Sequence, residues 1–337
     1  MINGHGDDLF RHTNIRANFS SNVYGGVDIS DLKRHLKEHI DCIDSYPEPE
    51  PYALQKAIAD FYTLSPDNVL VTNGATEAIY LIAQTYSGNS SGILQPTFSE
   101  YADACTIHHH QIQNLFALDE ISNSVQMVWL CNPNNPTGKV WDLKVLREMI
   151  QHYPQTIFVI DQSYEYFTHK EVLEVQEAAE YNNVILIHSM TKKFAMPGLR
   201  LGYITAATPL IHLLRNERMP WSVNALAIES GMYLLAQGMP DTLDKHLLWR
   251  ETERLSNEIN ALKHFIAPPT DTHFMLVQCK NISSAQLKSM LVHDYELLIR
   301  DASNFAGLDR SYVRIATQTP MHNDLLINAL KMIDNIL

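Results

Sequence analysis

A lysine just beyond an apolar run, with a serine three positions before it and an arginine eight after, can do amine chemistry on an anionic ligand. Here these are Ser189, Lys192 and Arg200, following the apolar, largely β-branched residues 184–187. A lysine amine becomes an imine-forming nucleophile when desolvation and nearby cations lower its pKa. Arg200 can offer a phosphate two parallel charge-assisted hydrogen bonds, and Ser189 can add another. The adjacent Lys193 is a rival for the same role but breaks both spacings. A solvated basic turn is the alternative for this segment taken alone.

Three other segments carry weaker signals of the same kind. Thr72-Asn-Gly-Ala-Thr-Glu77 passes from a strand pattern into a helix pattern, so the N–H groups of Ala75 and Thr76 can cradle a phosphate at a helix N-terminus. Asp161 follows the apolar residues 156–160, with Tyr164 three positions later; an isolated aspartate there would ordinarily be a helix cap. Asn132-Pro-Asn-Asn-Pro-Thr-Gly138 has, by itself, the composition of a turn.

In this order, the segments resemble the fold-type I enzymes that use pyridoxal 5'-phosphate (PLP), the aminotransferase superfamily of classes I and II. The resemblance implies that Lys192 forms the imine with the cofactor and that Ser189, Arg200, Ala75 and Thr76 hold its phosphate. It implies that Asn135 hydrogen-bonds the phenolic oxygen, that Asp161 keeps the pyridine nitrogen protonated with Tyr164 beside the ring, and that Phe98 stacks on the ring. Tyr46 falls where relatives send a tyrosine to the phosphate in the neighbouring subunit's site, which implies a homodimer. The matching segments run from Tyr46 to Arg314.

Within this superfamily two families compete. The wording around Arg218-Met-Pro-Trp-Ser-Val-Asn224, 298–309 and 312–316, with Gly4-His-Gly6 and Asn18-Phe-Ser-Ser-Asn22, is similar to the threonine-phosphate decarboxylases of cobalamin synthesis. That resemblance implies decarboxylation of L-threonine O-3-phosphate to (R)-1-aminopropan-2-yl phosphate and CO2. His5, Gly6, Asn22, Asn135, Arg300 and Arg314 become the expected substrate contacts. The alternative is an aminotransferase acting on histidinol phosphate or a similar amino acid. A non-catalytic regulator with an aminotransferase-like domain would need a basic winged-helix segment ahead of the motifs, which begin within the first fifty residues of an acidic chain.

The elements that must position these residues follow from periodicity. Short apolar strand patterns at 68–71, 92–94, 125–130, 156–160, 184–187 and 201–204 alternate with helical patterns at 76–86, 143–152 and 171–179. Such alternation predicts an α/β fold with a mostly parallel central sheet flanked by helices, functional loops gathering beyond the carboxyl ends of the strands. Helical patterns at 32–40 and 52–62 flank a proline-rich loop, Tyr46 to Pro51. After Pro220 come helices near 225–234 and 242–262, then strands near 273–279, 297–300 and 312–316, a smaller α+β domain. The expected division is an N-terminal segment 1–45 joining the small domain, a PLP-binding domain 46–220, and linking helices with the C-terminal small domain 221–337.

Composition narrows the partners. With 25 basic against 38 acidic residues the formal charge is −13, which argues against nucleic acid and anionic membranes. No apolar run is long enough to span a bilayer and the N-terminus lacks a signal pattern, so a cytoplasmic protein is expected. Cys42, Cys105, Cys131 and Cys279 are scattered without a CxxC pair, and no metal site is expected. His108-His-His110 reads as an exposed strand, and His35 and His39 as surface. No GxGxxG or GxxxxGK[ST] motif suggests a nucleotide enzyme.

Overall fold

The computed structural model describes residues 7–337. A short strand β1 (Ala17–Asn18) and helices α1 (Ser30–Glu38) and α2 (Tyr52–Tyr62) precede the alternating region. There β2 (Val69–Thr72), α3 (Gly74–Thr85), β3 (Ser90–Leu94), α4 (Glu100–Ile107), β4 (Gln111–Leu115), β5 (Met127–Cys131) and α5 (Leu143–His152) follow one another. The alternation continues through β6 (Ile157–Asp161), α6 (Val175–Glu180), β7 (Val184–Ser189), the single turn α7 (Met190–Lys193), β8 (Gly202–Ala206) and α8 (Thr208–Glu217).

These strands form one seven-stranded sheet in the order β2-β8-β7-β6-β5-β3-β4. Only β8 runs against the others, being antiparallel to both β2 and β7. Every residue of β5 and β7 is buried, as strands covered on both faces must be. Each fully buried valine, leucine or isoleucine contributes about 1.5–3 kcal/mol of apolar burial. Because β2, β5, β6 and β7 are parallel, their carboxyl ends share one sheet edge, where Thr72, Cys131, Asp161 and Ser189 stand. The register aligns them further: Gly202 pairs with both Thr72 and Ser189, and Asp161 pairs with Cys131 and Ile187.

The chain then runs through α9 (Ala225–Ala236) and α10 (Lys245–Asn260) to β9 (Phe265–Ile266), β10 (Phe274–Cys279), α11 (Ser284–Tyr295), β11 (Leu297–Leu298), β12 (Arg300–Asp301), β13 (Tyr312–Ala316) and α12 (Pro320–Asp334). A four-stranded antiparallel sheet, ordered β12-β13-β10-β9, carries this smaller α+β part. Its core includes Phe265, Val277, Leu291, Val313 and Leu330, together with Ala17 and Phe19 from the N-terminal segment. β1 pairs with β11, which brings residues 17–22 alongside the small sheet. Leu32 of α1 packs instead with Leu54 and Val69. Among the described residues, no helix is long and apolar enough to cross a membrane.

Several local expectations are corrected. The stretch expected as one strand at 297–300 is split at Ile299: β11 pairs with β1, and β12 pairs with β13. His108 to His110 do not form an exposed strand. His108 closes α4, and His110 is buried before β4, its ring nitrogens 2.8 Å from Ser91 Oγ and 2.8 Å from the Ala83 carbonyl oxygen. Two buried polar partners give that imidazole its place, so burial costs it little. His35, expected at the surface with His39, is half-buried and lies 2.7 Å from Glu229 Oε1, its ring stacked between His39 and Tyr233. The contact ties α1 to α9.

Candidate active site

At the shared carboxyl edge, a cavity of about 570 Å³ opens between the large sheet and the small-domain elements. Lys192 lines it, one short step beyond β7, and its Nζ donates a 2.9 Å hydrogen bond to the Ser21 carbonyl oxygen. Burial, then the Arg314 and Arg200 guanidiniums, lower its pKa to about 8, while Asp7 and Asp161 act in the opposite direction. The adjacent Lys193 does not line the cavity. Its Nζ donates to the Met239 carbonyl at 3.2 Å and lies 4.3 Å from the Tyr166 ring centroid.

A lysine with a depressed pKa is neutral over a wider pH range, with the neutral amine appearing as pH rises through its pKa. Labelling of Lys192 by an amine-reactive reagent, followed by peptide mass, is therefore expected to be half-maximal near pH 8. A surface lysine labelled in the same sample would reach half-maximum only near ~10.4, the ordinary lysine value.

Asp161 ends β6, buried at the cavity wall. Its Oδ2 accepts from the Tyr101 hydroxyl at 2.7 Å and its Oδ1 from the Ser163 N–H at 2.9 Å. Burial pushes its carboxyl pKa up, opposed by those hydrogen bonds and by His188. A buried carboxylate whose close partners are neutral donors is well suited to a cationic N–H. Tyr164 lies beside it; its hydroxyl accepts from Asn22 Nδ2 at 3.3 Å, and Lys192 Nζ is 5.9 Å from its ring centroid. Burial pushes the phenol up to about 12, with Arg314 acting the other way, so it is protonated near neutral pH.

Opposite these groups, Arg314 reaches the cavity from β13. One guanidinium nitrogen donates to Asn135 Oδ1 and another to the Ser20 carbonyl, while its buried Nε has no partner among the described residues. Burial lowers its pKa to about 10, with Arg300 contributing, and it remains cationic at neutral pH. Arg300 is its direct cross-strand partner, so the two side chains leave the sheet on the same face. Arg300 itself lines a neighbouring cavity of about 410 Å³ and donates to the Asp301 carbonyl at 2.7 Å and to Asn304 Oδ1 at 2.9 Å.

The other end of the main cavity is built for an anion. Ala75 and Thr76 line it in the first turn of α3, where backbone N–H groups have no helical acceptor. Ser189 and Arg200 line it too. Gly74, at φ +76°, gives Arg200 its space: a Cβ there would lie 2.6 Å from Arg200 Nη2. Gly202 has the same role against the Ala75 N–H, 2.8 Å from where its Cβ would stand.

The structure thus gathers Ala75, Thr76, Phe98, Asn135, Asp161, Tyr164, Ser189, Lys192, Arg200 and Arg314, from scattered sequence positions, around one cavity. Asn22 stands behind it, buried at φ +54°, with its carbonyl oxygen 3.1 Å from His273 Nε2. Tyr46 is 90% exposed, its ring centroid is 6.0 Å from that of Trp221, and it is not among the described residues that line the cavity. His5 and Gly6 lie outside the described residues. Sequence reasoning missed Tyr101, which fastens Asp161, and the Ser20 and Ser21 carbonyls, which receive Arg314 and Lys192. Tyr101 lies in the first turn of α4, three positions after Phe98, with no signature of its own, and backbone carbonyls have none.

The sequence profile of aminotransferase class I and II matches residues 15–330. The crystal structure of L-threonine-O-3-phosphate decarboxylase from Porphyromonas gingivalis superposes with a TM-score of 0.91 at 37% identity, covering 94% of this chain and 99% of that one. The threonine-phosphate decarboxylase of Salmonella typhimurium is 27% identical over 329 residues, 93% of this chain and 90% of that protein. The histidinol-phosphate aminotransferase of Methanocaldococcus jannaschii is also 27% identical, over 311 residues, 86% of this chain and 81% of that protein.

Proposed function

From the premise that this chain belongs to the class I and II aminotransferase family, we propose that it is a PLP-dependent decarboxylase of L-threonine O-3-phosphate, releasing CO2 and (R)-1-aminopropan-2-yl phosphate. The observation that carries the substrate reading is the pairing of Arg300 and Arg314 across neighbouring strands, with Arg314 in the cavity that also holds Lys192. Two guanidiniums on one sheet face suit a small dianion, and they do so within a chain whose net charge is −13. The 37% identical structure from Porphyromonas gingivalis supports the same reading.

The cavity fits the cofactor on four counts: a helix N-terminus with free N–H groups, an arginine given room by Gly74, a lysine of lowered pKa, and a buried carboxylate with neutral donors. Lys192 would attach PLP. Ser189, Arg200, Ala75 and Thr76 would hold its phosphate, Asp161 the pyridine nitrogen, Asn135 the phenolic oxygen, and Phe98 and Tyr164 the ring. Bound there, PLP supplies an electron sink for the bond broken at the substrate Cα.

The residues of this chain then choose which bond that is. An arginine gripping the substrate carboxylate would keep that group bound and favour loss of the Cα proton, giving transamination. Arg300 and Arg314 gripping the phosphate instead would leave the carboxylate free to depart from Cα as CO2. Lys192 Nζ, with a pKa near 8, can both hold a proton and give it to that carbon close to neutral pH.

Replacing Gly74 by alanine is expected to weaken PLP binding about tenfold or more, since the positive φ and the displaced Arg200 together cost roughly 1–3 kcal/mol. Absorbance titration of the cofactor-free protein measures it. We take the active form to be a homodimer in the cytoplasm, with Tyr46 of each protomer reaching the other's cofactor phosphate. Ile43, Tyr46, Met219 and Trp221 are large apolar residues left exposed, Tyr46 beside Trp221, and the covered guanidinium of Arg218 has no hydrogen-bond partner among the described residues. We divide the chain at 45/46 and 220/221. A core of its own, from Ala17 and Phe19 to Leu255 and Ile333, supports the small domain, while the core that holds Leu32 and Val69 also takes Val223 and Ala227 from the linking helices.

The substrate reading is tested by supplying O-phosphothreonine and, separately, histidinol phosphate with a keto-acid acceptor. CO2 from the first and no amino transfer from the second to the acceptor support the decarboxylase; amino transfer from histidinol phosphate without CO2 from phosphothreonine makes the protein an aminotransferase.

A further inference from the structure

The short stretch from Asn18 to Asn22 holds the two parts of the site in register. The Ser20 carbonyl receives Arg314 and the Ser21 carbonyl receives Lys192 at 2.9 Å. Asn22 Nδ2 donates to the Tyr164 hydroxyl at 3.3 Å, and the Asn22 carbonyl receives His273 at 3.1 Å. A shift of this turn therefore moves the substrate-side arginine and the lysine together. The turn is not a relaxed one, because Asn22 sits in the left-handed region at φ +54°.

What fastens the turn is an acidic residue. Asp7 Oδ1 accepts from the Ser20 hydroxyl and from the Leu9 N–H, both at 3.0 Å, and Asp7 Oδ2 accepts from Asn18 Nδ2 at 2.9 Å. Asn18 Oδ1 in turn accepts from the Ser20 N–H at 2.8 Å and shares the single Ser20 hydroxyl proton with Asp7. Asp7 also lines the cavity. A carboxylate facing an anion-binding cavity would ordinarily repel the ligand. Here three donors converge on the two oxygens, which directs much of the charge into the turn. The neighbouring Asp8 anchors the same segment elsewhere, accepting from Lys288 of α11 at 2.6 Å.

We propose that Asp7 is a positioning residue of the substrate subsite: its carboxylate clamps Asn18 and Ser20, so that the Ser20 and Ser21 carbonyls present Arg314 and Lys192 in register to a phosphorylated amino substrate. The inference rests on the proposed function for the substrate class only. Asp7 acts on both cations, through the turn that receives Arg314 and Lys192 and through its charge near Lys192, so its removal is expected to raise KM and to lower kcat together.

The test uses Asp7→Ala, Asp7→Asn and the double variant Asp7→Asn/Asn18→Asp, which reverses the direction of the Asp7–Asn18 hydrogen bond. Asp7→Ala is expected to raise KM about tenfold or more and to lower kcat as well, as for loss of charge-assisted hydrogen bonds that orient a binding group and the lysine held by the same turn. Tryptic cleavage after the exposed Arg11 and Arg16 should become faster in the same variant without substrate. Asp7→Asn, which sets an amide against the Asn18 amide, should resemble Asp7→Ala, and the double variant should recover both KM and protease resistance. Unchanged KM and unchanged proteolysis in Asp7→Ala, or a double variant no better than Asp7→Asn, overturns the proposal. KM is read with whichever of O-phosphothreonine and histidinol phosphate the wild-type protein converts, and proteolysis needs neither. An error in the substrate reading is thus separable from an error about Asp7.

Discussion

Substitution of Lys192 by alanine is expected to lower kcat by about 10²- to 10⁴-fold, the contribution of a positioned proton-transfer group, with the folded protein intact. The expectation follows from three features that meet at one atom. Nζ lies in the cavity, its pKa is brought down to about 8 by burial and by Arg314 and Arg200, and it follows β7 at the edge where Asp161 and Ser189 also stand. Lys193→Met is the matching control. Its Nζ faces Met239 and Tyr166, away from the cavity, so kcat should stay within about threefold of wild type, as for a substitution outside the site. Reduction of the cofactor-loaded protein with borohydride, followed by peptide mass, locates the lysine that carries the cofactor. Label on Lys192 agrees with the geometry, and label on Lys193 contradicts it.

The second large effect is expected at Arg314. Arg314→Gln should raise KM for the phosphorylated substrate about 10- to 150-fold, the equivalent of roughly 1.5–3 kcal/mol for a charge-assisted contact. Arg314→Lys should recover little of this. The guanidinium donates at once to Asn135 and to the Ser20 carbonyl, and a single ammonium on a flexible stem cannot keep both and still offer a planar pair of donors to an anion. Steady-state kinetics across the three proteins, with circular dichroism to verify folding, reads the effect. A glutamine variant with unchanged KM would remove Arg314 from the substrate subsite.

Much of this arrangement was legible because the chemistry stands at strand ends. β5, β6 and β7 are continuously apolar, which identified them as strands buried on both faces, and the functional residues 132–138, Asp161 and Lys192 fall just where those runs stop. β4 was not legible for the opposite reason. It is the edge strand, and Gln111 to Asn114 are exposed, so no apolar pattern marks them. α4 escaped for want of a clear stripe: its buried residues include Asp103 as well as Tyr101, Ala104 and Cys105.

Within the site, the side chains with sequence signatures were found and their fasteners were not. Tyr101 meets Asp161 across 60 positions of sequence, and the Arg300–Arg314 pairing depends on strand register rather than on spacing. The carbonyls of Ser20 and Ser21 are invisible to any reading of residue type, yet they receive Arg314 and Lys192. Asp7 is similar. Read in the sequence, it is one more acid in an acidic chain; in the fold, three donors surround it.

The most direct measurement of the proposed activity is the fate of carboxyl-labelled L-threonine O-3-phosphate, incubated with the PLP-loaded protein and no keto acid. One labelled CO2 and one aminopropyl phosphate are expected for each substrate consumed, continuing over many turnovers without an amino acceptor. Retention of the label in a keto acid, with turnover stopping after one equivalent until an acceptor is added, would contradict the proposed activity.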